Sequence, residues 1–316
     1  MAVALFADER MTEHRVPFKH PERPVRLSAV LRQLERGGYF NTCPKGEVRE
    51  ATAEELTRVH DAAYLRKVAN LESDGGGMLD PDTWLLPGSK TAAQLAAGTA
   101  IEAVGFVLGG ENRRALCVIR PPGHHARPAA GMGFCIYNNI ALAAAEAVDR
   151  FELEHVLIVD FDVHHGNGTQ EVFYSSSCVG FLSIHRYPFY PGTGARDETG
   201  TGPGLGNIAN IPLPYGTRRR EYHDAFRAGL DKLARRIRPE LVLISAGFDA
   251  HAQDPIGDLG LEIDDFEEIT REIVSVADTH AQGRIVSVME GGYNLSILAG
   301  SVEVHLKALC AQAGRE

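Results

Sequence analysis

Val156-Leu-Ile-Val-Asp160-Phe-Asp162-Val-His164-His165-Gly-Asn167-Gly-Thr-Gln170 is the stretch whose reading decides the fold. Val156 to Val159 is an apolar run with no polar face, as in a strand buried on both sides of a parallel sheet. Carboxylates and imidazoles follow at its carboxyl end, where open α/β sheets hold their ligands. In an extended chain the period of two sends Asp160, Asp162 and His164 to one side. Asp and His two residues apart at the mouth of a pocket is metal-ligand spacing.

Outward from this stretch the chain alternates strands and helices. Strands are expected at Val3–Ala7, Ala115–Ile119, Val156–Phe161, Cys178–Ile184, Leu241–Ala246 and Arg284–Met289. Helices are expected at Arg26–Gly37, Ala53–Leu71, Asn139–Val148, His223–Arg236, Asp265–Ala281 and Ile297–Ala311. Thr52 would cap the second helix, with Leu56, Val59, Tyr64 and Val68 as its apolar face. Thr12–Pro24 reads as a Pro-rich loop and Ser73–Ser89 as a long loop rich in Gly, Asp and Pro. The alternation predicts an α/β protein, a single domain over 1–316 with a central, mostly parallel sheet flanked by helices on both faces.

Composition excludes several classes. Of 316 residues 44% are hydrophobic and 23% charged, with a formal net charge of −10, as in ordinary globular proteins. No basic block exceeds Arg218–Arg220, so a nucleic-acid footprint is absent. Five scattered cysteines without a CxxC argue against a disulfide framework or a thiolate zinc site. The opening Met1-Ala-Val-Ala-Leu-Phe-Ala-Asp8 is too short and too soon charged for a signal peptide. Ala92–Leu108, interrupted by Gln94, Thr99 and Glu102, reads as a buried helix rather than a membrane span. A cytoplasmic protein is expected.

Four expected strands end in polar clusters: Arg120-Pro-Pro-Gly-His124-His125, Asp160 to His164, Gly247-Phe-Asp249 and Glu290-Gly-Gly-Tyr293. Singly, a His–His pair suits structure, Asp249 a helix cap, and Tyr293 a packed turn. Together, at one end of one sheet, they describe a pocket. Asp162, His164 and Asp249 make three ligands with a fourth position open, which marks a catalytic metal. Paired histidines can move protons, Asp160 can orient an imidazole, and the Tyr293 phenol can donate to a developing oxyanion. The chemistry expected is metal-dependent amide hydrolysis.

Arg120-Pro-Pro-Gly-His-His-Ala126, Gly133-Phe-Cys-Ile-Tyr-Asn-Asn139, Asp160 to Gln170, Ala246-Gly-Phe-Asp249 and Glu290-Gly-Gly-Tyr293 together resemble the histone deacetylase superfamily, from His20-Pro-Glu-Arg-Pro24 to the last helix. The resemblance implies the arginase–deacetylase fold and removal of an acetyl or other acyl group from a lysine side chain. It implies zinc on Asp162, His164 and Asp249, with iron(II) compatible with the same donors. His124, paired to Asp160, is similar to the family's general base. His125, beside Asn167, is similar to the partner that protonates the leaving amine, and Tyr293 to the transition-state tyrosine. Gly133, Phe134 and Tyr190 resemble the walls of an acyl-lysine tunnel, and Asp82 a rim residue that positions the substrate backbone. A structural potassium would use Asp160, main-chain oxygens of Asp162 and His164, Ser183 and Ile184.

Three departures matter. Asn167 stands where class I enzymes carry aspartate and Glu290 where they carry glycine, so the class II-like bacterial amidohydrolases are nearer. Ile256 stands at a rim position where the polyamine-specific member carries glutamate, although Glu22 and Asp82 could supply acid there. Deacetylation of N-acetylpolyamines or other small amines is therefore the alternative, and an acyl-lysine-binding protein without turnover a further one. A two-metal ureohydrolase site is disfavoured by Gly166 and His251. A homo-oligomer stays open.

Overall fold

Residues 2–17 and 19–311 are described in a computed structural model; Phe18, inside the expected Thr12–Pro24 loop, lies outside the described residues. The elements in chain order are β1 (Val3–Ala7), α1 (Val25–Arg36), α2 (Tyr39–Thr42), α3 (Ala53–Leu56), α4 (Ala62–Ser73), β2 (Gly77–Asp80) and β3 (Thr83–Leu85). Next come α5 (Ser89–Gly109), β4 (Arg114–Val118), α6 (Asn139–Asp149), β5 (Val156–Asp160), α7 (Asn167–Phe173) and β6 (Val179–Arg186). The chain ends through β7 (Ile208–Leu213), α8 (Arg219–Ile237), β8 (Leu241–Ala246), α9 (Ile263–His280), β9 (Ile285–Met289) and α10 (Leu295–Cys310).

Seven strands form one sheet in the order β1-β4-β9-β8-β5-β6-β7, and every pairing in it is parallel. β4, β5, β8 and β9 are buried along their whole length, which is why they read as mostly apolar runs without polar alternation. The helices lie on the faces, α5 and α6 packed together, and α10 between α1 and α9. α5 is long and apolar enough to cross a membrane, but 67% of its apolar window is buried inside the fold. It is a core helix, as its interrupting polar residues predict.

Three local expectations fail. Ala53–Leu71 is two helices, because His60 and Asp61 are claimed by another loop. Asn138 N donates to His60 Nε2 (2.9 Å) and Asp61 N to Pro128 O (2.9 Å). Thr52 does cap α3, in a capping box with Glu55, and Leu56, Val59, Tyr64 and Val68 are buried. The Ser73–Ser89 loop contains the antiparallel hairpin β2–β3. Strand β7 was not expected, since Asn210 and Pro212 interrupt its apolar pattern; it lies at the sheet edge, where proline is tolerated.

Candidate active site

β4, β9, β8 and β5 are adjacent in the sheet, so their carboxyl ends open on one edge. The loops that follow them carry His124–His125, Tyr293, Asp249 and Asp162–His164 in that order. β5 itself ends at Asp160, and Asp162 and His164 lie in the bend beyond it. What aligns them is side chain on backbone rather than strand pleat. Asp160 Oδ1 accepts from Asp162 N (3.1 Å), and Asp162 Oδ1 accepts from His164 N (2.9 Å). Asp249 Oδ1 accepts from Val163 N (2.9 Å), tying the β8 loop to the β5 loop. Aspartates favour such turns because the short carboxylate reaches its own backbone two residues on.

Asp162, His164 and Asp249 are buried, with donor atoms all within 4.8 Å of one another. His164 Nδ1 lies 3.0 Å from Asp162 Oδ1 and 3.1 Å from Asp249 Oδ2. Asp249 Oδ2 is nonetheless buried without an aligned hydrogen-bond partner. Burial and then the neighbouring Asp162 push the Asp249 carboxyl up to about 7. Burial opposes charge on His164, but the two carboxylates outweigh it and raise it to about 9. An orphaned oxygen and two crowded carboxylates are what a bound cation would relieve. A Cβ on Gly247 would strike the Asp162 carboxylate and one on Gly291 the Asp249 carboxylate, so both neighbours leave that space clear. One imidazole and two carboxylates with an open side fit a catalytic divalent metal.

The His124 and His125 rings lie 4.0 Å apart and have different partners. His124 Nδ1 donates to Asp160 Oδ2 (2.9 Å), and its Nε2 is 3.8 Å from Asp162 Oδ1. Burial disfavours its cation, yet Asp160 and Asp162 raise it to about 10. His125 Nδ1 donates to the neutral Asn167 Oδ1 (2.7 Å). Burial, then the His124 and His164 charges, hold His125 well below 6.5. Glu290 anchors this loop by accepting from Gly123 N (2.6 Å) and His124 N (3.3 Å).

Tyr293 is 8% exposed, which sets aside the surface-turn reading. Burial first, then Asp249 and Asp162, push its phenol well above 10, so it remains a proton donor. Two residues not singled out from the sequence hold it. Asp254 Oδ2 accepts from Tyr293 N (2.6 Å), while Arg26 donates to Gly292 O and Glu290 O (both 2.6 Å) and lies 4.9 Å from the Tyr293 ring centroid. Asp254-Pro255, an aspartate before a turn, was the available signal for the first. For Arg26, inside an amphipathic helix, there was none.

The expected tunnel walls converge as well. Phe134 meets Tyr293 edge-on at 5.8 Å, and Tyr190 meets His125 at 5.2 Å and His164 at 6.1 Å. Asp82 is half-buried, its Oδ1 accepting from Gly133 N (3.1 Å), so it sits beside that wall. Ile256 is half-buried in the turn that Asp254 Oδ1 closes by accepting from Ile256 N and Gly257 N. Asp160 and Ser183 are register partners on β5 and β6, with Ile184 next along, all buried.

Glu22 is corrected. It is fully buried and cannot act at a rim: its carboxylate takes Arg120 at 2.7 and 2.8 Å and Arg26 at 3.0 Å. Burial opposes its charge, but Arg120 and Arg26 outweigh this and hold it at about 2 against an ordinary 4.5. Its stabilising contribution is therefore whole above about pH 4.5 and fades as pH falls toward 2. Glu22→Gln strands two guanidinium groups and is expected to lose ~3–5 kcal/mol at pH 7. Denaturant unfolding of both proteins at pH 7 checks this; a loss below ~1 kcal/mol would contradict it.

Comparison with known proteins agrees with this geometry. A model of the histone deacetylase domain matches residues 20–309. A probable deacetylase of Archaeoglobus fulgidus is 39% identical, covering 98% of this chain and 89% of that protein. A histone deacetylase-like amidohydrolase of Pseudomonas aeruginosa is 38% identical over 87% of this chain and 73% of its own. The crystal structure of the HDA15 HD domain superposes with a TM-score of 0.91 at 35% identity, covering 98% of this chain and 90% of that one. With the sheet order, the pocket edge and these matches in agreement over nearly its whole length, the chain belongs to the histone deacetylase family.

Proposed function

We propose that the protein is a zinc-dependent amidohydrolase that removes acetyl or related acyl groups from lysine side chains. The observation that carries this is the unpartnered Asp249 Oδ2 facing Asp162 and His164, with the histidine pair next to it through the His125–His164 ring contact. A divalent ion held by Asp162, His164 and Asp249 would supply Lewis acidity, lowering the pKa of water and polarising the scissile carbonyl. Potassium on Asp160, Ser183 and Ile184 remains part of the proposal.

The proton roles follow from the partners. His124, whose Nδ1 donates to the carboxylate of Asp160, is the better suited of the two to carry a proton and donate it. His125, whose Nδ1 donates to an uncharged amide, is the better suited to take the proton of the attacking water. This reverses the order that the resemblance implied. Tyr293 Oη donates to the developing oxyanion, and Phe134 and Tyr190 exclude water from the acyl chain. Asn167→Asp would raise the pKa of His125 by placing a charge on Nδ1. A base must be free of its proton, so the acid limb of kcat/KM should move to higher pH, by about one unit or more. An unmoved limb would return the base role to His124.

The lysine reading is favoured over polyamines by the rim. Glu22 is sealed inside and Ile256 is apolar, which leaves Asp82, whose Oδ1 accepts from Gly133 N and Thr83 Oγ1, as the one rim acid of the three. Assay of the zinc-loaded protein on an acetyl-lysine peptide, N-acetylputrescine and acetylspermidine tests this. Turnover of the peptide with a higher kcat/KM is expected; turnover of the polyamines alone would overturn it.

A further inference from the structure

A second cluster of metal-type donors lies away from the pocket, between α8 and α9. His223 on α8 and Glu268 and Glu272, one turn apart on α9, offer donor atoms all within 4.8 Å of one another. The imidazole is already oriented as a ligand would be. Its Nε2 donates to Asp265 Oδ1 at 2.8 Å, so Nδ1 is the nitrogen left for a ligand. Burial opposes charge on the ring, but Asp265 and Glu268 raise its pKa, so a cation must displace the Nδ1 proton to bind. His223 is only 7% exposed, and Nδ1 is buried without a hydrogen-bond partner, 3.7 Å from Glu268 Oε1. Glu272 Oε2 is likewise buried and unpartnered. Two orphaned polar atoms in one small space need a common partner.

We infer that His223 Nδ1, Glu268 and Glu272 form a second site for a divalent transition cation, which clips α8 to α9. An imidazole with two carboxylates selects zinc-like ions over magnesium or calcium, which prefer all-oxygen sites. At zinc–ligand distances of ~2.1 Å tetrahedral donors stand roughly 3.4 Å apart, so the cluster must tighten. Glu268 is half-exposed and free to close in. Arg227 is the resident competitor: its guanidinium reaches Glu272 Oε1 at 2.6 Å and Glu268 Oε1 at 3.3 Å. Its side chain is half-exposed and can swing to solvent as the ion enters.

The test is bound zinc per chain by equilibrium dialysis and elemental analysis, with magnesium in excess. Wild type should bind one equivalent more than His223→Ala, and one more than the Glu268→Gln/Glu272→Gln double variant. The double variant changes a partly exposed helix face and guards against misfolding of the histidine variant, with circular dichroism as the check. Because the readout is a difference of one, it holds whether or not the Asp162–His164–Asp249 site also takes zinc. Arg227→Ala should bind the extra ion roughly fivefold tighter, the effect of removing two exposed ion pairs. Equal zinc content in wild type and the folded double variant, or equal affinity with and without Arg227, would overturn the inference.

Discussion

Asp249→Ala is expected to lose bound metal and amide hydrolysis together, with activity falling at least ~10³-fold. In the proposed site Asp249 would supply one of three donors, and losing even a supporting partner of a ligand weakens metal binding 10–100-fold in general. The same residue makes a second, opposite expectation about the fold. In the metal-free protein its carboxyl is raised from 3.8 to about 7 by burial and by Asp162. A carboxyl raised in this way destabilises the folded chain as pH rises from about 4 through about 7. Removing it relieves that penalty but frees Val163 N, which donates to its Oδ1, so the metal-free Tm at pH 7.5 should fall less than in Asp162→Ala, while the rise in Tm on adding zinc largely disappears. Asp162→Ala should lose metal and activity too, but it also frees His164 N and Gly291 N, which donate to that carboxylate. Its metal-free Tm should therefore fall. Wild-type activity in either variant would mean that the cluster is a buried ion-pair network and not a metal centre.

Tyr293→Phe is expected to keep its metal and lose kcat by about 10²–10³-fold with KM little changed. The backbone anchors, Asp254 to Tyr293 N and Arg26 to Gly292 O, do not involve the phenol, so the turn should hold its shape. The Phe ring also preserves the edge contact with Phe134 and the stacking of Arg26. A loss confined to kcat identifies an interaction made only in the transition state. Unchanged kcat would remove the oxyanion role.

The pocket was readable because its parts follow short, mostly apolar strands as polar clusters, and β4, β5, β8 and β9 prove adjacent. The alignment of Asp160, Asp162 and His164 was read from a pleat that stops at Asp160. The outcome survives because each carboxylate holds the backbone two residues on. Glu22 was misplaced for a definite reason. A glutamate in a Pro-rich loop looks solvent-exposed until Arg26 and Arg120, one of them 98 residues away, are brought to it. The same long-range dependence hides Arg26 as a support of the Tyr293 turn, 266 residues on. The break between α3 and α4 was equally invisible, since it is imposed by contacts of His60 and Asp61 with the loop before α6 and not by local propensity.

The most direct test of the account is acetate release from an acetyl-lysine peptide by the purified protein as isolated, after removal of metal by chelation, and after return of zinc. Loss of turnover on chelation and recovery with zinc is the predicted result. Undiminished turnover by metal-free protein, with its metal content checked by elemental analysis, would contradict it.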